Sequence, residues 1–361
     1  MSATLKVGII GCGRIAQLVH LGMLQRLPEV ELVALTEPDL QRREEARIRA
    51  PGAVTISDYQ ELLMMPAVEA VLICLPNALH AEATVAALER GKHVYVEKPL
   101  ATSLNEARPV LAAWRRAGVV GMIGFNYRFN ALYQAVRQHI QSARLGELVA
   151  ARSVFSTAAR TLPTWQHTRQ NGGGVLLDLA SHHVDLVHFL FGQEVREVFA
   201  GLRSQRSEDD SATLHLRLAD GLLVQSFFSM SAVEEDRLEI YGQAGKLSVD
   251  RYLSLDIEIS EPLLQFTRLK RLTRGLRSLA WNPYLLDKLR APSREPSYQA
   301  ALAHFVAAVR SKRPASPDFW DGYRSLAVIA AAEESARTGQ IVPLSHLTEE
   351  DENERARPVR S

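Results

Sequence analysis

Residues 5–37 read LKVGIIGCGRIAQLVHLGMLQRLPEVELVALTE, and this stretch decides the fold. Leu5–Ile10 is a short apolar run that leads straight into Gly11-Cys-Gly13-Arg14-Ile15-Ala16, a G-x-G-x-x-A turn followed by a helical pattern. Glu31–Leu35 then predicts a second strand that ends in Thr36-Glu37. In such a unit Gly11 permits the tight turn, Gly13 lets backbone N–H groups approach a pyrophosphate, and Ala16 lets the helix pack closely on the strand. The N-terminus of the helix favours the anion. An acid about twenty residues after the turn is placed to accept hydrogen bonds from ribose hydroxyls. The stretch therefore predicts a nicotinamide dinucleotide site, with Gly11, Gly13, Arg14 and Ile15 on the phosphate side and Glu37 on the ribose side. A carboxylate there repels the 2′-phosphate of NADP, so NAD is the expected cofactor; Arg42 and Arg43 nearby keep NADP open.

Moving outward, short β-branched runs alternate with helical patterns. Ala70–Leu75, His93–Val96 and Val119–Phe125 join the first two runs as strands, and helices are expected to begin near Arg14, Asp39, Asp58, Ala78 and Ser103. Ser103-Leu-Asn-Glu106 spells a capping box, Gly91 and Gly118 close helices, and Pro66 ends another. The alternation predicts a parallel sheet wrapped by helices, a doubly wound Rossmann domain over residues 1–125.

After Phe125 the pattern changes. A helix is expected over Ala131–Ala143, an edge strand near Leu148–Ser156, and a helix running from Gly172-Gly173-Gly174 to about Phe191. Strands then follow without helices between them: Val195–Leu202, Ala212–Leu218, Leu222–Ser229, Arg237–Tyr241, Lys246–Val249 and Leu255–Ile259, with hairpin turns at Asp220-Gly221 and Ala244-Gly245. Residues 126–348 should thus form an α+β domain with a large open, mainly antiparallel sheet, covered by helices over Tyr298–Arg310 and Tyr323–Thr338. The charged tail 349–361 is expected to be disordered.

Composition limits the function. The 361 residues are 47% hydrophobic and 23% charged, enough for a sizeable core, and the net charge of +1 offers no general field for nucleic acid. No apolar run reaches the roughly 18 residues of a membrane span, and Leu5–Ile10 reads as a core strand, not a signal peptide. The two cysteines, Cys12 and Cys74, match no metal or disulfide pattern and read as small apolar fillers. A cytoplasmic enzyme is the expectation.

Three further motifs carry a resemblance. Leu75-Pro76-Asn77-Ala78-Leu79-His80, Val96-Glu97-Lys98-Pro99-Leu100 and Gly172-Gly173-Gly174-Val175-Leu176-Leu177-Asp178-Leu179-Ala180-Ser181-His182 resemble the signatures of the Gfo/Idh/MocA family of NAD(P)-dependent oxidoreductases, named for glucose-fructose oxidoreductase and inositol dehydrogenase. Gly124-Phe125-Asn126-Tyr127-Arg128-Phe129, Glu239-Ile240-Tyr241-Gly242 and Asp321-Gly322-Tyr323 extend it over most of the chain. The resemblance implies that Leu75, Pro76, Asn77, His80, Glu97, Lys98 and Asn126 serve the cofactor and that Tyr127 and Arg128 face the substrate. It also implies a cis bond before Pro99 and an open sheet that joins subunits, as a dimer or tetramer.

Lys98 follows the fifth strand at the carboxyl end of a parallel sheet, where open α/β sheets bind ligands. Asp178 and His182 are four apart on a helix, so they share a face. An imidazole with an ordinary pKa of about 6.5 can take the proton of a sugar hydroxyl as hydride leaves the same carbon. A charged Lys98 would stabilise the developing alkoxide, and the two roles are interchangeable at this level. Asp178 would orient the imidazole or hold a neighbouring hydroxyl. Asp178, His182, Asp185 and His188 also have spacing compatible with metal ligands, but no third ligand of obvious geometry accompanies them, and no metal is expected. Trp165 and Arg169, just before the glycines, are expected to wall the pocket. Ala180 and Gln166 depart from the family's usual residues and the loop before Gly172 is short, so the substrate stays open. The basic residues between Thr267 and Arg290 read as a solvated or subunit-contacting segment, or as one that closes over a phosphorylated or nucleotide-linked sugar or meets an acidic partner or membrane surface.

The expected activity is hydride transfer between nicotinamide and a secondary alcohol or ketone of a sugar, cyclitol or derivative. An NAD-dependent glycoside hydrolase and a non-catalytic dinucleotide or sugar sensor are the alternatives.

Overall fold

A computed structural model describes residues 4–260, Lys288 and residues 295–344. The described residues pack as two compact units, one formed by those up to Asn126 with Ser297–Leu326, the other by those from Tyr127 to Pro296 with 327–344. The segment 297–326, which chain order would put in the second domain, thus belongs to the first unit. The tail 349–361 and most of the basic segment 267–290 lie outside the described residues.

The first unit is built on a six-stranded sheet of β1 (Leu5–Ile10), β2 (Val30–Thr36), β3 (Val54–Ile56), β4 (Ala70–Ile73), β5 (His93–Val96) and β6 (Gly121–Ile123). Every pairing is parallel, and the order β3-β2-β1-β4-β5-β6 is that of the doubly wound fold. Its strand order reverses between β1 and β4, which puts the ligand crevice at the carboxyl ends of those strands. Ala70, Val71, Leu72 and Ile73 are all fully buried, as a strand covered on both faces requires. The strand β3 is absent from the sequence expectation: three residues, with Val54 exposed, are too few to show a period.

The helix after the glycine turn opens with a π-helical turn, Ala16–His20, and continues as α1 (Leu21–Leu24). It is followed by α2 (Leu40–Arg49), α3 (Tyr59–Met64), α4 (His80–Glu89) and α5 (Leu104–Ala117). Asp39 and Asp58 cap α2 and α3 by accepting backbone N–H bonds from Arg42 and Gln60, each worth about 1 kcal/mol. At α5 the Ser103 hydroxyl accepts from Glu106 N, but the Glu106 carboxylate reaches back to Thr102, at 2.9 Å from its N and 2.7 Å from its hydroxyl. The box is therefore closed one residue earlier than expected.

The second unit begins with α6 (Ala131–Gln141) and β7 (Leu148–Ser156) and continues through a second π-helical turn, Leu176–Ala180, into α7 (Ser181–Phe191). The strands β8 (Val195–Arg203), β9 (Ser211–Leu218), β10 (Leu223–Ser229), β11 (Glu235–Gly242), β12 (Gly245–Asp250) and β13 (Glu258–Ser260) complete a sheet with β7 and the terminal β14 (Val342–Pro343). Its order is β13-β12-β11-β7-β10-β9-β8-β14. The strand expected at an edge, β7, is central, antiparallel to β11 and parallel to β10. Its sequence betrays this poorly, because the exposed Arg152 breaks its apolar run. Two helices complete the described chain, α8 (Ser297–Ser311) and α9 (Phe319–Thr338). In the first unit Phe319 meets Trp114 at 5.3 Å between ring centres, and Ile123 N donates to Pro317 O. That packing holds the start of α9 in the first unit.

Candidate active site

In the first unit the glycine turn is held by its own ribose-side acid. Gly11 sits at φ +89°, and a Cβ there would stand 2.7 Å from the Cys74 carbonyl. Gly13 has open space where its Cβ would go, so its backbone is accessible to a ligand. The buried Glu37 carboxylate accepts from Cys12 N at 2.9 Å and from Asp39 N at 3.2 Å, which leaves acceptor positions for ribose hydroxyls. Of the two arginines that left NADP open, Arg42 is exposed and Arg43 is committed elsewhere: its Nη1 donates to the carbonyls of Glu37 (2.6 Å) and Pro38 (3.1 Å). Arg14 is exposed at the start of the helix and Ile15 half-buried. The turn therefore fits a dinucleotide.

The residues after β4 and β5 form a second layer. His80 bridges two loops, its Nδ1 2.6 Å from Pro99 O and its Nε2 2.9 Å from Leu75 O. Burial pushes its pKa down, outweighing the two carbonyls that favour the charged ring. A neutral His80 donates to one of them. Leu75 and Pro76 are half-buried, Asn77 buried. Glu97 Oε1 lies 2.6 Å from the Nε2 of the fully buried His20, a partner that sequence reasoning missed. Lys98 is half-buried, and the Lys98–Pro99 bond is cis, as the resemblance implies. The Asn126 amide donates to Ser297 Oγ at 2.8 Å. Cys12 is inert: burial first, and the Glu37 charge second, push its thiol up to about 12.

In the second unit the π-helical turn Leu176–Ala180 carries Asp178 and opens α7, which carries His182. Such turns concentrate at functional sites. The reason for three glycines is local: Gly172 and Gly174 have φ of +87° and +93°, and a Cβ on Gly173 would lie 2.2 Å from Gln166 O. The loop bearing Trp165 is thereby pressed onto the glycines, and Gly173 N donates to Thr168 O. Trp165 is half-buried in that loop.

Asp178 pairs with Arg160 at 3.3 Å, and the His182 ring stacks on Tyr127, ring centres 4.3 Å apart and planes 16° apart. Neither Arg160 nor the stack was foreseen. Arg128, expected at the substrate, forms a buried fork onto Asp185, with Nε at 2.9 Å and Nη2 at 2.5 Å. Arg169 is tied by its guanidinium to Glu333 and by its backbone N to Glu208. His188 lies 3.1 Å from the Gln193 carbonyl. Below this layer Asp236 is fully buried, 3.0 Å from His183 and 2.7 Å from Arg251. Burial alone would raise its pKa, but the Arg251 guanidinium and His183 hold it well below the usual carboxylate range.

Comparison with known proteins finds a match for each part of the chain. Residues 5–125 match the model of an oxidoreductase family with an NAD-binding Rossmann fold, and residues 133–248 match the GFO/IDH/MocA C-terminal domain. A 1,5-anhydro-D-fructose reductase of Ensifer adhaerens is 29% identical over 92% of this chain and 96% of its own. A myo-inositol 2-dehydrogenase of Thermotoga maritima is 26% identical over 95% of this chain and 99% of its own. The fold is also that of a levoglucosan dehydrogenase solved with NADH and levoglucosan, at 22% identity, a TM-score of 0.81 and coverage of 95% of this chain and 100% of the other. With both of its domains matched in order along the sequence, the chain belongs to the GFO/IDH/MocA family of oxidoreductases.

Proposed function

We propose that the protein is an NAD-dependent oxidoreductase that moves hydride to or from a secondary alcohol carbon of a sugar, cyclitol or sugar derivative. The observation that carries this reading is the coexistence of an intact dinucleotide turn, closed by Glu37, with a lysine after β5 and a histidine on a glycine-led helix. When bound, the nicotinamide supplies the hydride acceptor or donor. The turn Gly11–Ile15 offers backbone N–H groups to the pyrophosphate, and Glu37 accepts from the ribose. Leu75, Pro76, Asn77, His80, Glu97 and Asn126 support the cofactor from the ends of β4, β5 and β6. The commitment of Arg43 to backbone carbonyls supports NAD over NADP.

His182 takes the hydroxyl proton at an imidazole nitrogen during oxidation and returns it during reduction. Lys98 stabilises the alkoxide charge, and an exchange of these two roles would leave the balance of the reaction unchanged. Asp178, with Arg160 beside it, binds a neighbouring hydroxyl. Trp165 supplies flat apolar surface suited to a sugar ring, Tyr127 bears on the substrate through the His182 imidazole stacked on it, and Arg128 and Arg169 shape the wall through their carboxylate partners.

The chain acts in the cytoplasm as a homo-oligomer in this reading, joined through the outer face of the second unit's sheet. That face exposes Phe199, Leu223 and Phe227. No helix among the described residues is long and apolar enough to cross a membrane.

A panel of sugars, cyclitols, sugar phosphates and glycosides tests the activity, with NADH absorbance and product release followed separately. Net NADH formation on an alcohol is expected, with Lys98→Met and His182→Asn each lowering kcat about 10²- to 10⁴-fold while NAD still binds. Hydrolysis without net NADH would establish the glycosidase instead, and NAD binding without turnover on any member the sensor.

A further inference from the structure

The second unit contains a buried charge cluster that the proposed chemistry does not use. Arg251, only 9% exposed, donates from Nε to Asp236 Oδ2 and from Nη1 to Glu295 Oε2, each at 2.7 Å. Both carboxylates are held in turn: Asp236 Oδ1 accepts from the Tyr133 hydroxyl at 2.8 Å, and Glu295 Oε1 from the Asn130 amide at 3.2 Å. Lys288 donates to the Arg251 carbonyl at 2.8 Å. Buried ion clusters of this kind seldom stabilise a fold more than apolar packing of the same volume would, because desolvation offsets the Coulomb gain. The guanidinium is, however, fixed in one orientation, with its carbon 4.5 Å from the centre of the Tyr127 ring. The His182 imidazole stacks on that same ring at 4.3 Å.

We propose that Arg251 is a positioning residue for His182, acting through the Tyr127 ring that its guanidinium and the imidazole share. The inference rests on the reading of His182 as a proton-transferring group. The clamp on Arg251 fixes Tyr127, and Tyr127 fixes the plane of the imidazole. The guanidinium also keeps a permanent positive charge within about 9 Å of that ring in a buried setting, where screening is weak.

Neighbouring charges among the described residues are paired. On the helical segment of His182, Asp178 carries Arg160, Asp185 carries Arg128, and His183 rests on Asp236. Phe155 of β7 faces the His182 imidazole, and Tyr133 of α6 donates to Asp236. Asp236 from β11 and Glu295 share Arg251. Removing the guanidinium therefore deletes a cation and exposes two carboxylates, and both changes favour a protonated His182.

The test is a histidine ring ¹H–¹⁵N NMR titration of the full-length protein, with His182 assigned by loss of its signal in His182→Asn. It is paired with pH profiles of kcat/KM for NAD and the panel compound of highest turnover. Arg251→Gln should move the His182 titration and the acidic limb of the profile up by about one pH unit. Arg251→Lys, which keeps the charge, should restore the limb while kcat stays below wild type. Tyr127→Leu leaves the ion cluster whole and should lower kcat about tenfold at unchanged KM for NAD, so it serves where Arg251→Gln fails to fold. A His182 titration that coincides in wild type and Arg251→Gln, or a Tyr127→Leu enzyme with wild-type kcat, would overturn the proposal. Full turnover by His182→Asn would overturn the underlying reading of His182 instead.

Discussion

Each unit carries a glycine-led turn that runs into a π-helical first turn and then an α-helix, yet the two are held in different ways. Around Gly11–Ala16 the side chains bind backbone: Glu37 takes the N–H groups of Cys12 and Asp39, and His80 meets the carbonyls of Leu75 and Pro99. Around Gly172–Gly174 the side chains bind one another: Arg160 with Asp178, Arg128 with Asp185, Arg169 with Glu333, and Arg251 with Asp236 and Glu295. A backbone-anchored turn suits a ligand that never changes, since its shape depends on dihedrals and on missing Cβ atoms. A network of charged side chains can be rewired by single substitutions, which suits the half of the molecule that must meet a particular substrate.

Breaking the networks should show the largest difference. Asp236→Asn removes the charge shared by Arg251 and His183, leaving Arg251 to Glu295, and is expected to cost about 3–5 kcal/mol in urea unfolding, the usual result of removing one partner of a buried pair. Glu37→Gln keeps an oxygen for Cys12 N and should cost about 1–2 kcal/mol. Equal losses would erase the distinction drawn between the units.

The glycines sharpen the comparison at the next level. Gly11→Ala forces a Cβ to 2.7 Å from the Cys74 carbonyl at a positive φ. It should destabilise the protein by about 1–3 kcal/mol and abolish NAD binding in calorimetry. Gly13→Ala meets open space, so stability should change by less than about 1 kcal/mol while NAD affinity falls at least about tenfold. Wild-type NAD affinity in Gly13→Ala would mean that its backbone does not approach the pyrophosphate.

The smallest effect lies in acid. In the first unit burial lowers the pKa of His80 and of His93, whose Nδ1 must stay unprotonated to accept from Val120 N at 2.9 Å. A depressed histidine pKa means that the unfolded chain takes up the proton first, so this stability is lost as pH falls below about 6.5. In the second unit Asp236 has a depressed carboxylate pKa. Its contribution is full above about pH 4 and is lost only as pH falls further, through its lowered value. Hydrogen exchange at pH 7, 5 and 3 should therefore show peptides from β5 and β6 losing protection before those from β11. The reverse order would contradict the assignment.

The sequence by itself determined the doubly wound sheet, the glycine turn with its ribose-side acid, the second, mainly antiparallel sheet and the positions of Lys98, Asp178 and His182. These rest on local rules of strand alternation, capping, left-handed glycines and fixed spacing, which a linear reading can apply. The strand β3 was too short to register, and β7 read as an edge because its two neighbours, β10 and β11, arrive some 70–90 residues later in the chain. Only the tertiary structure decided that residues 297–326 return to the first unit, that Glu97 meets His20, and that Arg128 and Arg169 are bound by Asp185 and Glu333. The same holds for the stack of His182 on Tyr127 and the clamp on Arg251. Such partners are 57 to 164 residues apart in the case of Arg128 and Arg169, and a side chain's charge announces that it needs a partner without saying which one.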